Sequence, residues 1–153
     1  MDTVTYPDPV VATTINQHLV PLQINTQQEA GTPVIERYRQ IWTPDIRILG
    51  ADGFEYYRWN GYLPPFEFLP QLLVAEAQAY LRLNQLQQGA ALYAEVLRRF
   101  PTSAVAPEAQ YYLAVAQYKQ SHEGADLQSG WQQLQRRYPE SLWRLKQSFI
   151  ETG

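Results

Sequence analysis

Cysteine is absent from the 153 residues. That one absence excludes disulfides, thiolate catalysis and Cys-ligated metal sites from this chain. Histidine is nearly as scarce, and His18 and His122 stand too far apart in sequence to suggest a structural zinc site, so no metal is expected. Lysine occurs twice against ten arginines, and with 15 acidic residues the formal net charge is −3. The basic blocks are Arg98-Arg99 and Arg136-Arg137, which leaves a nucleic-acid or anionic-membrane partner without electrostatic support. Long apolar runs are missing too: stretches such as Leu72–Ala75 end far short of the roughly 20 residues that span a bilayer. The N-terminus has neither the basic region nor the apolar stretch of a signal peptide, so the expected location is the cytoplasm. The chain lacks a Gly-rich phosphate loop, a His-Glu-x-x-His motif, a nucleophile elbow and a Ser/His/Asp set. No catalytic residue and no cofactor is therefore expected.

What is present is core material. The chain is 45% hydrophobic and 18% charged, with 11 Tyr, 4 Trp and 5 Phe, enough to fold and too apolar to stay disordered. Its composition shifts near residue 65, where a proline-rich, β-branched stretch gives way to Ala/Leu/Gln runs. In the first part Asp8-Pro9 predicts a capped helix with Val11, Ile15 and Leu19 on one face. Val20, Leu22 and Ile24 alternate in a strand pattern over Val20–Asn25, with Pro21 near its start. Thr32 reads as the cap of a second helix, from Val34 to about Gln40, that Trp42-Thr43-Pro44 terminates. Ile46 and Ile48 mark another strand. Asp52-Gly53 is a hairpin turn, since those residues tolerate positive φ, and Phe54–Trp59 is the returning strand.

The second part predicts five helices by their apolar spacing. Leu69, Leu72, Leu73, Ala77 and Tyr80 share a face of the first, and Leu86, Ala90, Tyr93, Val96 and Leu97 a face of the second. Pro107 opens the third, with Tyr112, Leu113 and Ala116. Leu127, Trp131, Leu134 and Tyr138 mark the fourth, and Leu142, Leu145 and Phe149 the fifth. A repeat runs through them. Tyr93-x-x-Val96-x-Arg98-Arg99-Phe100-Pro101-x-Ser103 returns 38 positions later as Trp131-x-x-Leu134-x-Arg136-Arg137-Tyr138-Pro139-x-Ser141. Helix–turn–helix units ending in proline at such a period indicate a helical repeat array.

The helical part resembles tetratricopeptide repeats, carried by Ala77, Tyr80, Gly89, Tyr93 and Pro101. The second unit keeps Leu113-Ala114, Trp131 and Pro139, with a connection through Ser121-His122-Glu123-Gly124 expected to be about four residues longer. That resemblance implies a protein-binding groove. The first part resembles the thioredoxin-like fold in the order of Tyr6-Pro7-Asp8-Pro9, Ile15-Asn16, Val20-Pro21-Leu22, Trp42-Thr43-Pro44, the Asp52-Gly53 hairpin and Gly61. It implies that the Thr43–Pro44 bond is cis and that Trp42, Thr43 and Pro44 contact a bound peptide. That family opens with a strand and a Cys-x-x-Cys which this sequence does not contain; the chain starts about where the motif would end.

The expected fold is thus a partial α/β thioredoxin-like half with a small mixed sheet (1–66), followed by all-α tetratricopeptide-like hairpins (67–153). Arg98, Arg99, Arg136 and Arg137 are expected at helix C-termini, where they complement the dipole and could meet an acidic partner. Two functions fit: a non-catalytic module that binds a protein or peptide, or a thiol–disulfide oxidoreductase whose cysteines lie upstream of the start. Nothing in the sequence specifies the oligomeric state.

Overall fold

The computed structural model describes residues 1–147. In chain order they form α1 (Pro9–His18), α2 (Thr32–Tyr38), β1 (Asp45–Leu49), β2 (Glu55–Asn60), α3 (Pro65–Arg82), α4 (Leu86–Arg99), α5 (Ala106–Ser121), α6 (Gly124–Arg137) and α7 (Leu142–Leu145). The backbone divides into two compact units, residues 1–47 with 58–69 and residues 48–57 with 70–153.

In the first unit, α1 begins as its sequence dictates. The Asp8 carboxylate accepts from the Val10 and Val11 amides at 2.9 and 3.1 Å, with Pro9 at a position whose amide needs no partner. Val11 is buried, and so is Thr5, whose hydroxyl donates to the Leu63 carbonyl at 2.7 Å. Phe68 collects the edges of Tyr6 and Trp59, each 5.8 Å between ring centroids. The Thr43–Pro44 bond is cis, as the resemblance implied. Pro44 accepts from the Gly61 amide at 2.9 Å, and Gly61 turns the chain at φ +98°.

Two expectations fail here. Thr32 is the first residue of α2 rather than its cap; Gly31 holds the cap position without a side-chain hydrogen bond. Gly31 presses on the backbone of Asn25 and Thr26, where an added Cβ would meet Asn25 O at 2.6 Å, so close approach decides the residue there. The strand expected over Val20–Asn25 does not form. Residues 20–25 are neither helix nor strand, and Val20 and Leu22 are 95% and 81% exposed. Alternation marks a segment fit for a sheet, but a strand exists only with a partner ladder. The sheet of the described residues is therefore a two-stranded antiparallel β1–β2 hairpin, not the small mixed sheet expected.

In the second unit, helical hairpins pack around Leu73, Val74, Ala77 and Leu81 from α3, Tyr93, Val96 and Leu97 from α4, and Ala106, Ala109 and Ala116 from α5. Small residues set the crossings. A Cβ on Gly89 would lie 3.2 Å from the Ala77 carbonyl oxygen, and one on Gly130 would lie 2.4 Å from the Ala114 Cβ. Gly89 follows Ala77 by twelve positions and Gly130 follows Ala114 by sixteen. Those four extra residues were expected in the connection, yet only His122 and Glu123 join α5 to α6. They lengthen the helices beyond their crossing instead. His122 (φ 60°) ends α5 in the left-handed region, as Asn84 (φ 59°) follows α3, and each provides the stop that glycine more often supplies. The Ser141 hydroxyl caps α7 by accepting from the Arg144 amide at 3.3 Å. Phe149, expected on this last helix, lies outside the described residues.

Candidate functional site

The arginine pairs occupy the last turns of α4 and α6, where positive charge faces the helix carbonyls. The second arginine of each pair covers the ring that follows it: Arg99 lies 4.9 Å from the Phe100 centroid and Arg137 5.6 Å from that of Tyr138. Arg99 also pairs with Glu95 one turn back, and Arg137 reaches the Gln110 side-chain oxygen at 3.4 Å. The Tyr138 hydroxyl donates to the Pro101 carbonyl at 2.9 Å, which ties the two Arg-Arg-ring-Pro corners together. The recurring motif is accordingly a corner device, with Arg98 and Arg136 left exposed. In the other unit Trp42 and Thr43 are exposed at the entry to β1, and the Trp42 carbonyl accepts from Gln40 at 3.4 Å.

A different group of side chains converges from α3, α5, α7 and β2. Gln71 comes from α3, Glu108, Tyr111 and Tyr112 from α5, Trp143 and Lys146 from α7 and its C-cap, with Tyr57 supplied by β2. Gln71 Nε2 donates to the Tyr57 hydroxyl at 3.2 Å, and that hydroxyl lies 3.2 Å from each Glu108 carboxylate oxygen. Glu108 is 9% exposed. Burial pushes its carboxyl above the usual range, opposed by the Tyr57 hydrogen bond and the charge of Lys146. The Tyr57 phenol is pushed up to about 12, first by burial and then by the Glu108 charge. Tyr93 is raised too, again by burial first and Glu108 second, and its fully buried hydroxyl has no hydrogen-bond partner.

Around this polar group the aromatic rings form a continuous series. Tyr93 stacks on Tyr112 at 6.1 Å, Tyr112 meets Trp143 at 5.4 Å, Trp143 meets Tyr111 at 5.3 Å, and Tyr111 stacks on Trp131 at 4.9 Å. The Lys146 ammonium sits 3.4 Å from the Trp143 ring centroid. Two buried glutamines hold the helices that carry these rings. Gln110 donates to the Gly130 carbonyl at 3.3 Å, and Gln147 to the Trp131 carbonyl at 3.0 Å. A shallower polar depression between α5 and α6, lined by Gln117, Gln120, Asp126 and Gln133, offers neither a ring nor a buried charge.

This group has the parts of a binding face: the half-buried rings of Tyr57, Tyr111, Tyr112 and Trp143 around the buried Glu108 carboxylate, with Lys146 at its edge. The Tyr57 phenol, pushed up to about 12, keeps its proton against the Glu108 carboxylate. Among the described residues no set of three His, Asp or Glu side chains is placed to hold a metal. Sequence reasoning did not single out Glu108, Trp143 or Lys146, because each alone reads as a helix-end or surface residue. One signal was available. Tyr111-Tyr112 puts adjacent rings on α5, one more than a single apolar stripe requires.

Residues 72–103, from α3 through the corner after α4, match the tetratricopeptide repeat family. No curated protein and no solved structure matches the chain. Among the described residues no helix is long and apolar enough to cross a membrane.

Proposed function

We propose that the chain is a non-catalytic protein-interaction module, a degenerate thioredoxin-like segment (1–66) joined to a tetratricopeptide-like array (67–153). The observation that carries this reading is the convergence of Tyr57, Gln71, Tyr112 and Trp143, from β2, α3, α5 and α7, next to a tetratricopeptide match. Repeat helices stacked this way present one continuous face to an extended or helical peptide. The thioredoxin-like part of the proposal rests on the order α1, Trp42-Thr43-Pro44 turn, β1–β2 hairpin, α3. In it Trp42, Thr43 and Pro44 are the peptide-contact residues. Arg98, Arg99, Arg136 and Arg137 form a secondary surface for an acidic partner. With no cysteine in its sequence the chain carries no thiol of its own for disulfide exchange.

The experiment selects random displayed peptides on the full chain and maps the winners by amide and side-chain chemical shifts. The expected footprint covers Gln71, Tyr57, Tyr112 and Trp143. A selection that returns no binder, or binders that touch none of Tyr57, Gln71, Tyr112, Trp143 and the four arginines, overturns the reading.

A further inference from the structure

Resting on this binding-face reading, we propose that the face seats one cationic side chain of a peptide partner, between the Glu108 carboxylate and the Trp143 ring. Lys146 is the chain's own occupant of that seat.

The carboxylate supplies the first reason. Glu108 is nine-tenths buried, and the side chains bonded to it or to its donor, Tyr57 and Gln71, are neutral. A buried carboxylate is costly unless a positive charge faces it. The charge whose field reaches it is that of Lys146, a residue that is itself exposed on a flexible four-carbon stem. The same ammonium lies on the Trp143 face at 3.4 Å, so one cation satisfies both the carboxylate's field and the ring.

A second observation belongs to the same cluster. The Tyr93 hydroxyl is fully buried without a hydrogen-bond partner, and it is electrostatically coupled to Glu108, Tyr112 and Tyr57. A buried polar atom left unpartnered marks a place where a further polar group would be accommodated.

Exchange is easy on energetic grounds. Replacing Lys146 by a partner's lysine or arginine leaves Glu108 opposite a positive charge throughout. The displaced ammonium returns to water, where it is strongly hydrated. The net charge of −3 favours a cationic visitor over an acidic one.

The test uses the full chain and two twelve-residue peptides without aromatic residues, alike except that one carries three lysines or arginines where the other carries glutamates. Binding is read from the Trp143 indole N–H resonance, assigned with Trp143→Phe. The lysine or arginine peptide is expected to shift it saturably and the glutamate peptide to leave it in place. Lys146→Ala removes the competitor and is expected to tighten the cationic peptide by about three- to tenfold. Glu108→Gln, which keeps an acceptor for Tyr57, is expected to weaken it by about tenfold or more. Equal shifts from both peptides overturn the proposal, as does a Lys146→Ala chain that binds the cationic peptide no better. The Lys146 arm stands even where Glu108→Gln disturbs folding. If peptides selected on the chain cover Trp143 but carry no lysine or arginine there, the cation seat falls and the interaction module stands. If nothing covers that face, both fall.

Discussion

Gly130→Ala puts the helical packing to its sharpest test. The added Cβ would stand 2.4 Å from the Ala114 Cβ and 3.1 Å from its Cα, where unstrained carbon atoms keep about 3.5–4.0 Å apart. Both atoms belong to or sit directly on the α5 backbone, so no flexible side-chain end can swing away. The helices must part by roughly an ångström, which also stretches the 3.3 Å hydrogen bond from Gln110 to the Gly130 carbonyl. Overpacking of this kind costs about 1–3 kcal/mol, while replacing a helical glycine by alanine returns about 1 kcal/mol of propensity. A contact as short as 2.4 Å belongs at the upper end of that cost, so the expected net loss is about 2 kcal/mol, or a fall in Tm of roughly 4–8 °C for a chain of this size. Urea and thermal unfolding followed by far-ultraviolet circular dichroism measure it. Gly124→Ala is the control, since that glycine opens α6 with no atom within 4 Å of the added Cβ, and its stability is expected to hold or rise. Adding Ala114→Gly to Gly130→Ala restores room and should recover part of the loss. A Gly130→Ala chain as stable as the parent, or a Gly124→Ala chain that loses as much, would refute the steric argument.

Titration supplies a second prediction. Tyr57 holds its proton to about pH 12 when folded and to about 10 when unfolded, so its contribution is complete below pH 10 and is lost as the pH rises from 10 to 12. Alkaline denaturation is expected to begin in that window and to be shallower in Tyr57→Phe; identical curves would contradict it. Glu108 acts in the same direction at acid pH, because its folded carboxyl is raised above 4.5. Stability therefore declines as the pH climbs from 4.5 through the folded value, and Glu108→Gln should flatten that slope. Hydrogen exchange gives the third. The amides of Val20, Leu22 and Ile24 belong to no ladder and should exchange close to the unprotected rate, residues 1–65 being the less protected half, while those of Val96, Ala109 and Leu134 are among the slowest. Protection at Leu22 matching that at Val96 would show that the segment has found a partner strand.

Elements whose hydrogen bonds close within a few residues were legible in the sequence. The Asp8-Pro9 cap, the helices α3 to α6, the Asp52-Gly53 turn and the repeated Arg-Arg-ring-Pro corner depend on neighbours one to four positions away, and each lies where its pattern places it. Features that depend on a distant partner were not. Val20–Asn25 carries a strand's alternation yet stays irregular, because no ladder reaches it among the described residues. Gly31, not Thr32, holds the cap of α2, and the Asn25–Thr26 backbone passes too close to it for a side chain. The second unit's extra residues read as a longer connection through Ser121-His122-Glu123-Gly124 until the crossing of Ala114 with Gly130 showed that they lengthen the helices. The candidate site is the extreme case. Tyr57, Gln71, Glu108 and Lys146 come from four separate elements across ninety positions, and their charges and hydrogen bonds acquire meaning only where packing brings them together. Local bonding is encoded in runs of adjacent residues; an electrostatic partnership between remote ones is set by how the helices stack.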